Sequence, residues 1–94
     1  MPFLLVRHKV KSFANWKPAF DEHDLARQAM GSLGGRLFRN IDDPNEVLIL
    51  LEVQDLAKAR EFAGSEELKQ VMQRAGVADE PEICFLDEAG RPPK

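Results

Sequence analysis

Residues 46–53 predict a β-strand whose side chains are apolar on both of its faces. Alternate side chains of an extended chain point to opposite sides of a sheet. One side carries four aliphatic residues, Val47, Ile49, Leu51 and Val53. The other side carries Leu48 and Leu50, with Glu52 at its end. A sheet that contains this strand needs cover on both faces, and the helices predicted below are enough for one face only.

A second copy of the chain is the simplest cover for the remaining face. Burial of one large aliphatic side chain is worth about 1.5–3 kcal/mol, and monomers seldom expose large contiguous apolar patches. We therefore predict a homodimer that packs sheet against sheet. In the alternative, the stems of long charged side chains cover this face within one chain. The candidates for that role are Arg7, Lys9, Arg39 and Glu52.

The 94 residues are enough for one small domain, and pairing is a common remedy for limited burial in small domains. We assign residues 1–88 to this domain and residues 89–94 to a polar tail that is expected to be mobile. Thirteen lysines and arginines against sixteen aspartates and glutamates give a net charge of −3, without a basic block. This charge pattern argues against nucleic acid as a partner.

The cysteine content and the N-terminal sequence indicate the cellular compartment in which the protein is expected. Cys84 is the only cysteine, so a disulfide within the chain is impossible and a reducing compartment fits. The apolar run after Pro2 has only four residues, which is too short for a signal peptide core or a membrane span. We therefore expect a soluble cytoplasmic protein without a membrane partner.

The first part of the chain predicts a strand followed by a helix. Residues 3–10 alternate as a strand does, with Leu4, Val6, His8 and Val10 on one face. Pro18 restricts the start of the helix, because only the first four amides of a helix lack internal partners. With Asn15 as N-cap, Pro18 is the third helical residue, and the helix continues until Gly31 stops it. The alternative cap, Ser12, would place Pro18 inside the helix.

The rest of the chain predicts a hairpin, two short helices and a final strand. A second strand is predicted to begin at Gly34-Gly35 and to continue to about Ile41, and the turn 42–45 joins it to the strand 46–53. Asp55 and Ser65 are predicted as the N-caps of the two short helices, and Gly76 ends the second of them. The last strand is predicted at residues 82–87. The order strand, helix, strand, strand, helix, strand predicts an α+β ferredoxin-like βαββαβ fold. In this fold both helical segments cover one face of a four-stranded antiparallel sheet.

Two histidines lie within otherwise apolar sets of residues. His8 shares its strand face with aliphatic residues, and His23 lies in the helix stripe that contains Trp16 and Phe20. If both sets face the layer between sheet and helices, burial keeps the two imidazoles neutral and basic. We predict that His23, helped by His8, deprotonates a bound phenol or enol.

Three further residues of the helix stripe are candidate ligand contacts. Trp16 and Phe20 can stack on an aromatic ligand, and Arg27 can hold an oxyanion. The alternative is structural. In that case the aromatic residues pack in the core, His8 bonds a backbone carbonyl, and the head of Arg27 extends into water.

The sequence contains no recognisable motif for a metal ion or a cofactor. The two histidines are fifteen residues apart, without a cysteine or carboxylate at ligand spacing. The glycine-containing segment 31–35 precedes a strand rather than a helix, unlike a phosphate loop. Cys84 is predicted to be a small core residue within the last strand. We therefore expect neither a metal nor a cofactor.

Several segments resemble the dimeric α/β-barrel superfamily, close to its small antibiotic-biosynthesis-monooxygenase-like and cyclase-like proteins. They are Val6–Val10, Trp16–Phe20 with His23, Gly34–Phe38, Asp43–Glu52, Phe62–Leu68 and Ala75–Val77. The resemblance implies that two ferredoxin-like sheets pair into a barrel, with a pocket between each sheet and its own helices. The haem-degrading branch is the least similar, because the only tryptophan here is on the first helix and no histidine follows His23.

Members of this superfamily include cofactor-independent oxygenases, cyclases and proteins without an established activity, and fold alone does not choose among them. We expect a homodimeric small-molecule pocket protein, either a cofactor-independent monooxygenase or an isomerase or cyclase, for a hydroxylated aromatic or polyketide-like substrate. The alternatives are a non-catalytic ligand-binding or stress-associated dimer, and an interaction module whose histidines are packed over. A cavity that reaches both imidazoles would favour an enzyme.

Overall fold

The computed structural model describes residues 2–93, and within them the chain forms four strands and four helices. In chain order these are β1 (Pro2–Lys9), α1 (Phe13–Glu22), α2 (Asp24–Ala29), β2 (Ser32–Arg39), β3 (Glu46–Val53), α3 (Leu56–Ala63), α4 (Glu66–Arg74) and β4 (Glu82–Asp87). The strands form one antiparallel sheet in the order β2-β3-β1-β4. This arrangement confirms the predicted α+β ferredoxin-like fold. Met1 of the predicted domain and Lys94 of the predicted tail lie outside the described residues.

The central strands β1 and β3 present one buried apolar face to the helices. In their register Leu4 lies opposite Leu51 and Val6 lies opposite Ile49. The helices add Trp16 and Ala59 to the same core. The buried residues of the two strands are Leu4, Val6, His8, Val47, Ile49, Leu51 and Val53. The face of β1 that contains His8 therefore looks toward the helices.

The opposite face of the sheet, which we call the open face, carries an apolar set on all four strands. By the strand register its members are Phe3, Leu5, Phe38, Leu48, Leu50, Cys84 and Leu86. Phe38 is 45% exposed and Leu86 is 41% exposed. The prediction of Cys84 as a core residue is wrong, because β4 turns Ile83 and Phe85 toward the helices and leaves Cys84 exposed on the open face.

The first helix begins earlier than predicted, at Phe13, so the assignment of Asn15 as N-cap is wrong. Ser12 is the cap, and its Oγ accepts a hydrogen bond from the Asn15 amide at 3.4 Å. The amide of Phe13 donates to Oδ1 of Asn45 at 3.0 Å, in the turn between β2 and β3. Two side chains thus accept from first-turn amides. Pro18 consequently lies inside α1, where its missing N–H leaves one internal bond unmade.

The predicted single helix is divided into two, because α1 ends at Glu22 and α2 begins at Asp24. At the junction the amide of His23 donates to the carbonyl of Phe20 at 3.2 Å, a tighter bond from residue i to residue i−3. Helical bonding resumes where the amide of Arg27 donates to the His23 carbonyl at 3.3 Å. Gly31 follows α2 as the predicted stop, with a φ of 99° that favours glycine.

Most of the other predicted boundaries agree with the structure. β3 and β4 have the predicted limits, and the turn 42–45 joins β2 to β3 as a hairpin. β2 begins at Ser32, ahead of the predicted start at Gly34, with a bulge between these two residues. Asp55 and Ser65 cap α3 and α4, each accepting from an amide of the first turn at 3.2 Å. Across residues 2–93, no helix has the length and apolar character needed to cross a bilayer.

Candidate functional site

A cavity of about 60 Å³ lies between the sheet and the helices, and all five predicted site residues line it. His8 reaches the cavity from β1, and Trp16, Phe20, His23 and Arg27 reach it from the α1–α2 segment. The other lining residues are apolar: Leu4, Val6, Ala19, Ile49, Leu51, Phe62, Ala63, Leu68, Val71, Met72 and Ile83. The structure therefore brings the five candidates together, while their chemical roles stay predictions.

His8 is the most deeply buried polar side chain of the cavity wall, with 2% exposure. Neither Nδ1 nor Nε2 has a hydrogen-bond partner among residues 2–93. The ring packs edge-on against Trp16, with the ring centroids 5.6 Å apart and the planes at 81°. Burial lowers the pKa of His8 below its usual 6.5, and the carboxylate of Asp79 partly opposes this shift. The neutral ring therefore offers one donor and one acceptor nitrogen to a ligand.

His23 lies at the junction of α1 and α2 and lines the cavity from the helix side. Its Nε2 is buried and, within the described part of the chain, has no hydrogen-bond partner. The ring stacks with Phe62 of α3, at a centroid distance of 5.8 Å and an interplanar angle of 26°. Burial is the main cause that lowers the pKa of His23. The charge of Arg27 adds to this effect, and Glu67 opposes it.

Trp16 and Phe20 form a stacked pair on one side of the cavity. Their ring centroids are 4.9 Å apart and their planes differ by 27°. Phe13 continues the row, with its ring centroid 5.8 Å from that of Trp16. Trp16 is 3% exposed and belongs to the core, so the predicted packing role and a contact with a ligand are both open to it. Phe20 is only partly buried and also borders the protein surface.

Arg27 packs beside this pair, and its guanidinium carbon lies 3.8 Å from the centre of the Phe20 ring. The residue is 8% exposed, so its head does not extend into water as the structural alternative supposed. Nη2 lies 3.5 Å from Oδ1 of Asp24, at the outer limit of a hydrogen bond. Burial lowers the pKa of Arg27, and the carboxylates of Asp24 and Asp21 oppose this shift.

Three surface grooves share lining residues with the cavity. The first, which we call the β2 groove, has a volume of about 380 Å³ and shares with the cavity the residues Phe20, Arg27, Ile49 and Leu51. The second, which we call the α3 groove, has a volume of about 560 Å³ and shares the residues His23, Phe62 and Leu68. The β2 groove meets the cavity at Phe20 and Arg27, and the α3 groove meets it at His23 and Phe62. A third groove of about 520 Å³, between α4 and β4, is lined by neither histidine.

Phe62 and the grooves are parts of the site that were not predicted from the sequence. Helical periodicity places Phe62 on the inner side of its helix, which by itself indicates core packing. Its contact with His23 depends on how α3 packs beside the α1–α2 junction, and no local pattern reports that. Within residues 2–93, no group of three or more His, Cys, Asp and Glu side chains is placed to hold a metal ion.

The cavity combines an apolar wall, one guanidinium and two imidazoles whose buried nitrogens, Nδ1 and Nε2 of His8 and Nε2 of His23, have no hydrogen-bond partner within residues 2–93. A neutral imidazole in such a place can accept a proton from an acidic O–H or C–H group. The guanidinium can stabilise the negative charge that develops on the adjacent oxygen. Aromatic walls favour a planar ring. The arrangement is therefore suited to proton abstraction from a ring compound that carries oxygen.

A scan against models of protein families gives no match, and a search of the curated proteins gives no significant match. Among solved structures, the chain is similar to an antibiotic biosynthesis monooxygenase at 19% identity, with a TM-score of 0.71 over 96% of this chain and 100% of that one. It is also similar to SnoaB, a cofactor-independent oxygenase from Streptomyces nogalater, at 15% identity and a TM-score of 0.75, over 99% and 97% of the two chains. A conserved protein from Methanosarcina mazei Go1 matches at 14% identity and a TM-score of 0.65, over 90% and 89%.

These similarities extend over nearly the whole length of each chain, at identities between 14% and 19%. At such identities they establish a shared fold, and the activity has to be argued from the site. The resemblance that the sequence predicts is confirmed at this level. The chain has the fold of the antibiotic biosynthesis monooxygenases.

Proposed function

We propose that this protein is a cofactor-independent monooxygenase of a hydroxylated aromatic compound, with His23 as the base and His8 in support. The observation that carries the proposal is the pair of imidazoles on one apolar cavity, with ring nitrogens that lack partners among residues 2–93. Buried polar groups are normally hydrogen-bonded, so such nitrogens favour a ligand that supplies the missing partner. The fold shared with SnoaB, a cofactor-independent oxygenase, is consistent with this function.

In the proposed reaction the substrate supplies all four electrons that reduce dioxygen, two for each oxygen atom. Nε2 of His23 removes a proton from a CH₂ group activated by the oxygen-bearing ring, and Arg27 stabilises the enolate oxygen. The carbanion adds dioxygen and is protonated to a hydroperoxide, which loses water to leave a carbonyl group. One oxygen atom thus enters the product and the other leaves as water. His8 donates to or accepts from the substrate hydroxyl group.

The size of the cavity bears on the substrate. At about 60 Å³ the cavity is well below the range of about 300–1,000 Å³ that is common for small-molecule sites. This space suits the reacting edge of a ring together with dioxygen, with the remainder of the compound in an adjoining groove. Of the two substrate classes that the sequence suggests, we propose the hydroxylated aromatic, because the cavity and one groove together are large enough for a compound of one or two rings.

The small volume also favours a second candidate, a non-catalytic ligand-binding protein of the same architecture. A narrow cavity can hold part of a ligand without space for the rearrangements that a reaction requires. An isomerase or cyclase would use the same deprotonation by His23 without dioxygen. The three functions differ in what happens to the bound compound, so one set of measurements separates them.

The homodimer through the open face belongs to the same proposal. Seven apolar residues occupy this face, on all four strands, and they have no cover from the helices of their own chain. Burial of such a set against a second copy is favourable. A sheet-to-sheet dimer would leave each cavity on the helix side of its own sheet.

The test is dioxygen consumption with hydroxylated one- and two-ring aromatics that carry an activated CH₂ group. We expect one dioxygen consumed per carbonyl product, and a loss of about 100-fold or more in His23→Gln. Leu25→Ala, on the same helical segment and 77% exposed, is the control and keeps full activity. Circular dichroism checks that both variants fold. Binding of the compounds without oxygen uptake or any new product overturns the monooxygenase in favour of the ligand-binding protein.

A further inference from the structure

We propose that the β2 groove is a carboxylate subsite centred on Arg27, so that the ligand is an aromatic monocarboxylate. Its ring edge enters the cavity and its carboxylate lies in the groove. The placement of the ring rests on the proposed function, whereas the carboxylate subsite rests on Arg27 and the groove alone. Nothing in the fold requires an anion at this place.

The first argument is that Arg27 is a buried cation with weak compensation. A charge removed from water is unfavourable unless an opposite charge and hydrogen bonds replace the solvent. Arg27 is 8% exposed, and within residues 2–93 its one carboxylate contact is Asp24 at 3.5 Å. The side chain of Asp24 is 57% exposed, and its Oδ2 already accepts from Nε2 of Gln28 at 2.6 Å. The strong partner of Asp24 is therefore Gln28.

The second argument is the orientation of the guanidinium. Its central carbon lies over the Phe20 ring, at 3.8 Å from the ring centre. The N–H groups of a guanidinium point outward from its edge, and the Phe20 ring accepts no conventional hydrogen bond from them, so they remain available for a ligand. Two parallel N–H groups match the two oxygens of a carboxylate, and the guanidinium has further N–H groups for the enolate oxygen of the proposed reaction. The contact with Phe20 and the burial of Arg27 also restrict the side chain before a ligand binds, which lowers the entropy lost on binding.

The third argument is position. Arg27 and Phe20 line both the cavity and the β2 groove, so a ligand that touches them can occupy both spaces. The cavity of about 60 Å³ is small for a complete ligand, while the groove of about 380 Å³ falls within the common range for small-molecule sites. A hydroxylated ring edge beside the imidazoles and a carboxylate at Arg27 use the two spaces together.

The groove also selects the type of anion. Asp21, Asp24 and Arg36 line it as well. Both oxygens of Asp21 lie 2.7 Å from Nζ of Lys17, so that carboxylate is already neutralised. The formal charges of Asp21, Asp24, Arg27 and the exposed Arg36 cancel. A dianion such as a phosphate monoester would leave a larger uncompensated charge in the groove than a monoanion would, which is why we infer a carboxylate.

The experiment compares 4-hydroxybenzoate with its neutral counterpart 4-hydroxybenzamide, by calorimetry and by the histidine signals in NMR. We expect the wild-type protein to bind the carboxylate about tenfold or more tightly than the amide. Arg27→Gln should remove this preference, which is measured as the ratio of the two affinities within that variant. Arg39→Gln is the matched control, because Arg39 also stacks on a phenylalanine, at 4.0 Å from the Phe13 ring centre, but lines neither the cavity nor the groove.

Arg27→Lys provides a second variant that keeps the buried charge, and it should retain part of the preference because it lacks the planar fork. Equal affinity of the wild-type protein for both probes overturns the subsite, as does no binding of either probe. If the amide shifts the signals of His8 and His23 without any preference for the carboxylate, the subsite fails and the proposed function stands. If Arg27→Gln abolishes the preference but neither probe shifts these signals, the subsite stands and the cavity is not the ring site.

Discussion

His8 occupies surroundings that do not match the hydrogen-bonding capacity of its side chain. An imidazole placed among Leu4, Val6 and Trp16 gains packing contacts, but both of its nitrogens lose water without a replacement in residues 2–93. An aliphatic side chain of similar size would stabilise the folded chain more, since it has no polar group to desolvate. A histidine at this position therefore fits a role in ligand binding better than a role in stability.

We predict that the free energy of unfolding decreases as the pH is lowered from about 7 to about 5. Burial holds the pKa values of His8 and His23 in the folded chain below 6.5, the usual value that applies to the unfolded chain. The unfolded chain therefore binds more protons as the pH falls through 6.5. As the pH falls below 6.5, the free energy of unfolding decreases. The decrease ends once the pH is below the pKa values of both histidines in the folded chain. Urea denaturation across this range measures the decrease.

The variant His8→Leu isolates the contribution of His8, because it removes one of the two titrating groups. In this variant the free energy of unfolding should decrease less as the pH is lowered. Leu25→His adds an exposed histidine on α2, where Leu25 is 77% exposed, and serves as the control. Its imidazole titrates alike in the folded and unfolded chain, so the pH dependence should match that of the wild-type protein. Identical pH dependence in His8→Leu and wild type would contradict the assignment.

At the scale of the elements, the start of α1 shows where sequence reasoning reaches its limit. Asp55 and Ser65 were predicted as caps of α3 and α4, because such a cap and the amide that it binds are three residues apart. The Phe13 amide instead donates to the side chain of Asn45, 32 residues away in the chain. This contact exists only after the β2–β3 turn has packed against α1, so a local pattern cannot indicate it.

We predict that Asn45→Ala lowers the free energy of unfolding by about 0.5–2 kcal/mol, the usual cost of a lost N-cap interaction. The Phe13 amide is partly buried and would lose its acceptor. Asn45→Asp keeps an oxygen in the same place and should restore most of the stability. Thermal or urea unfolding of the three proteins makes the comparison. Equal losses in the alanine and aspartate variants would show that the cap bond is not responsible.

The parts of the site that depend on the periodicity of a single helix or strand could be predicted from the sequence. The 3.6-residue period of a helix places Trp16, Phe20, His23 and Arg27 on one stripe, and the stripe survives the break between α1 and α2 because the break is a single tightened turn. The period-2 alternation of β1 places His8 on the facing layer. The stack of Phe62 on His23 and the grooves depend on packing between elements, so they became visible only in the structure.

At the scale of the whole molecule, the open face leaves an apolar surface that the folded chain does not cover. Leu5 lies opposite Leu50 on one side and Cys84 on the other, and Phe38 lies opposite Leu48. The alternation of apolar residues in β3 alone was enough to predict that one face of the sheet would be apolar and without helices over it. Of the charged residues named as alternative cover, Arg7, Lys9 and Glu52 lie on the open face by the strand register, whereas Arg39 lies on the other face, over the Phe13 ring.

We predict that the wild-type protein is a dimer at micromolar concentration and that Leu50→Lys converts it to a monomer. A lysine at this central position of the open face would bury a charge against the second copy without a partner. Light scattering after size-exclusion chromatography gives the mass. Leu25→Lys, which changes a 77% exposed leucine on α2, is the control and should keep the dimer mass. A wild-type mass of one chain would refute the prediction.

The spacing within the α1–α2 segment has a consequence for how the chain can vary. Trp16, Phe20, His23 and Arg27 follow one another at intervals of four, three and four residues. Since a helix turns by about 100° per residue, the loss or gain of one residue between Phe20 and His23 would swing both the imidazole and the guanidinium away from their aromatic neighbours. An insertion beside Ile41, which is 97% exposed at the hairpin tip, would leave them in place. Other chains with the same chemistry should therefore keep the same number of residues between these four positions. This fixed spacing identifies them better than overall sequence identity does.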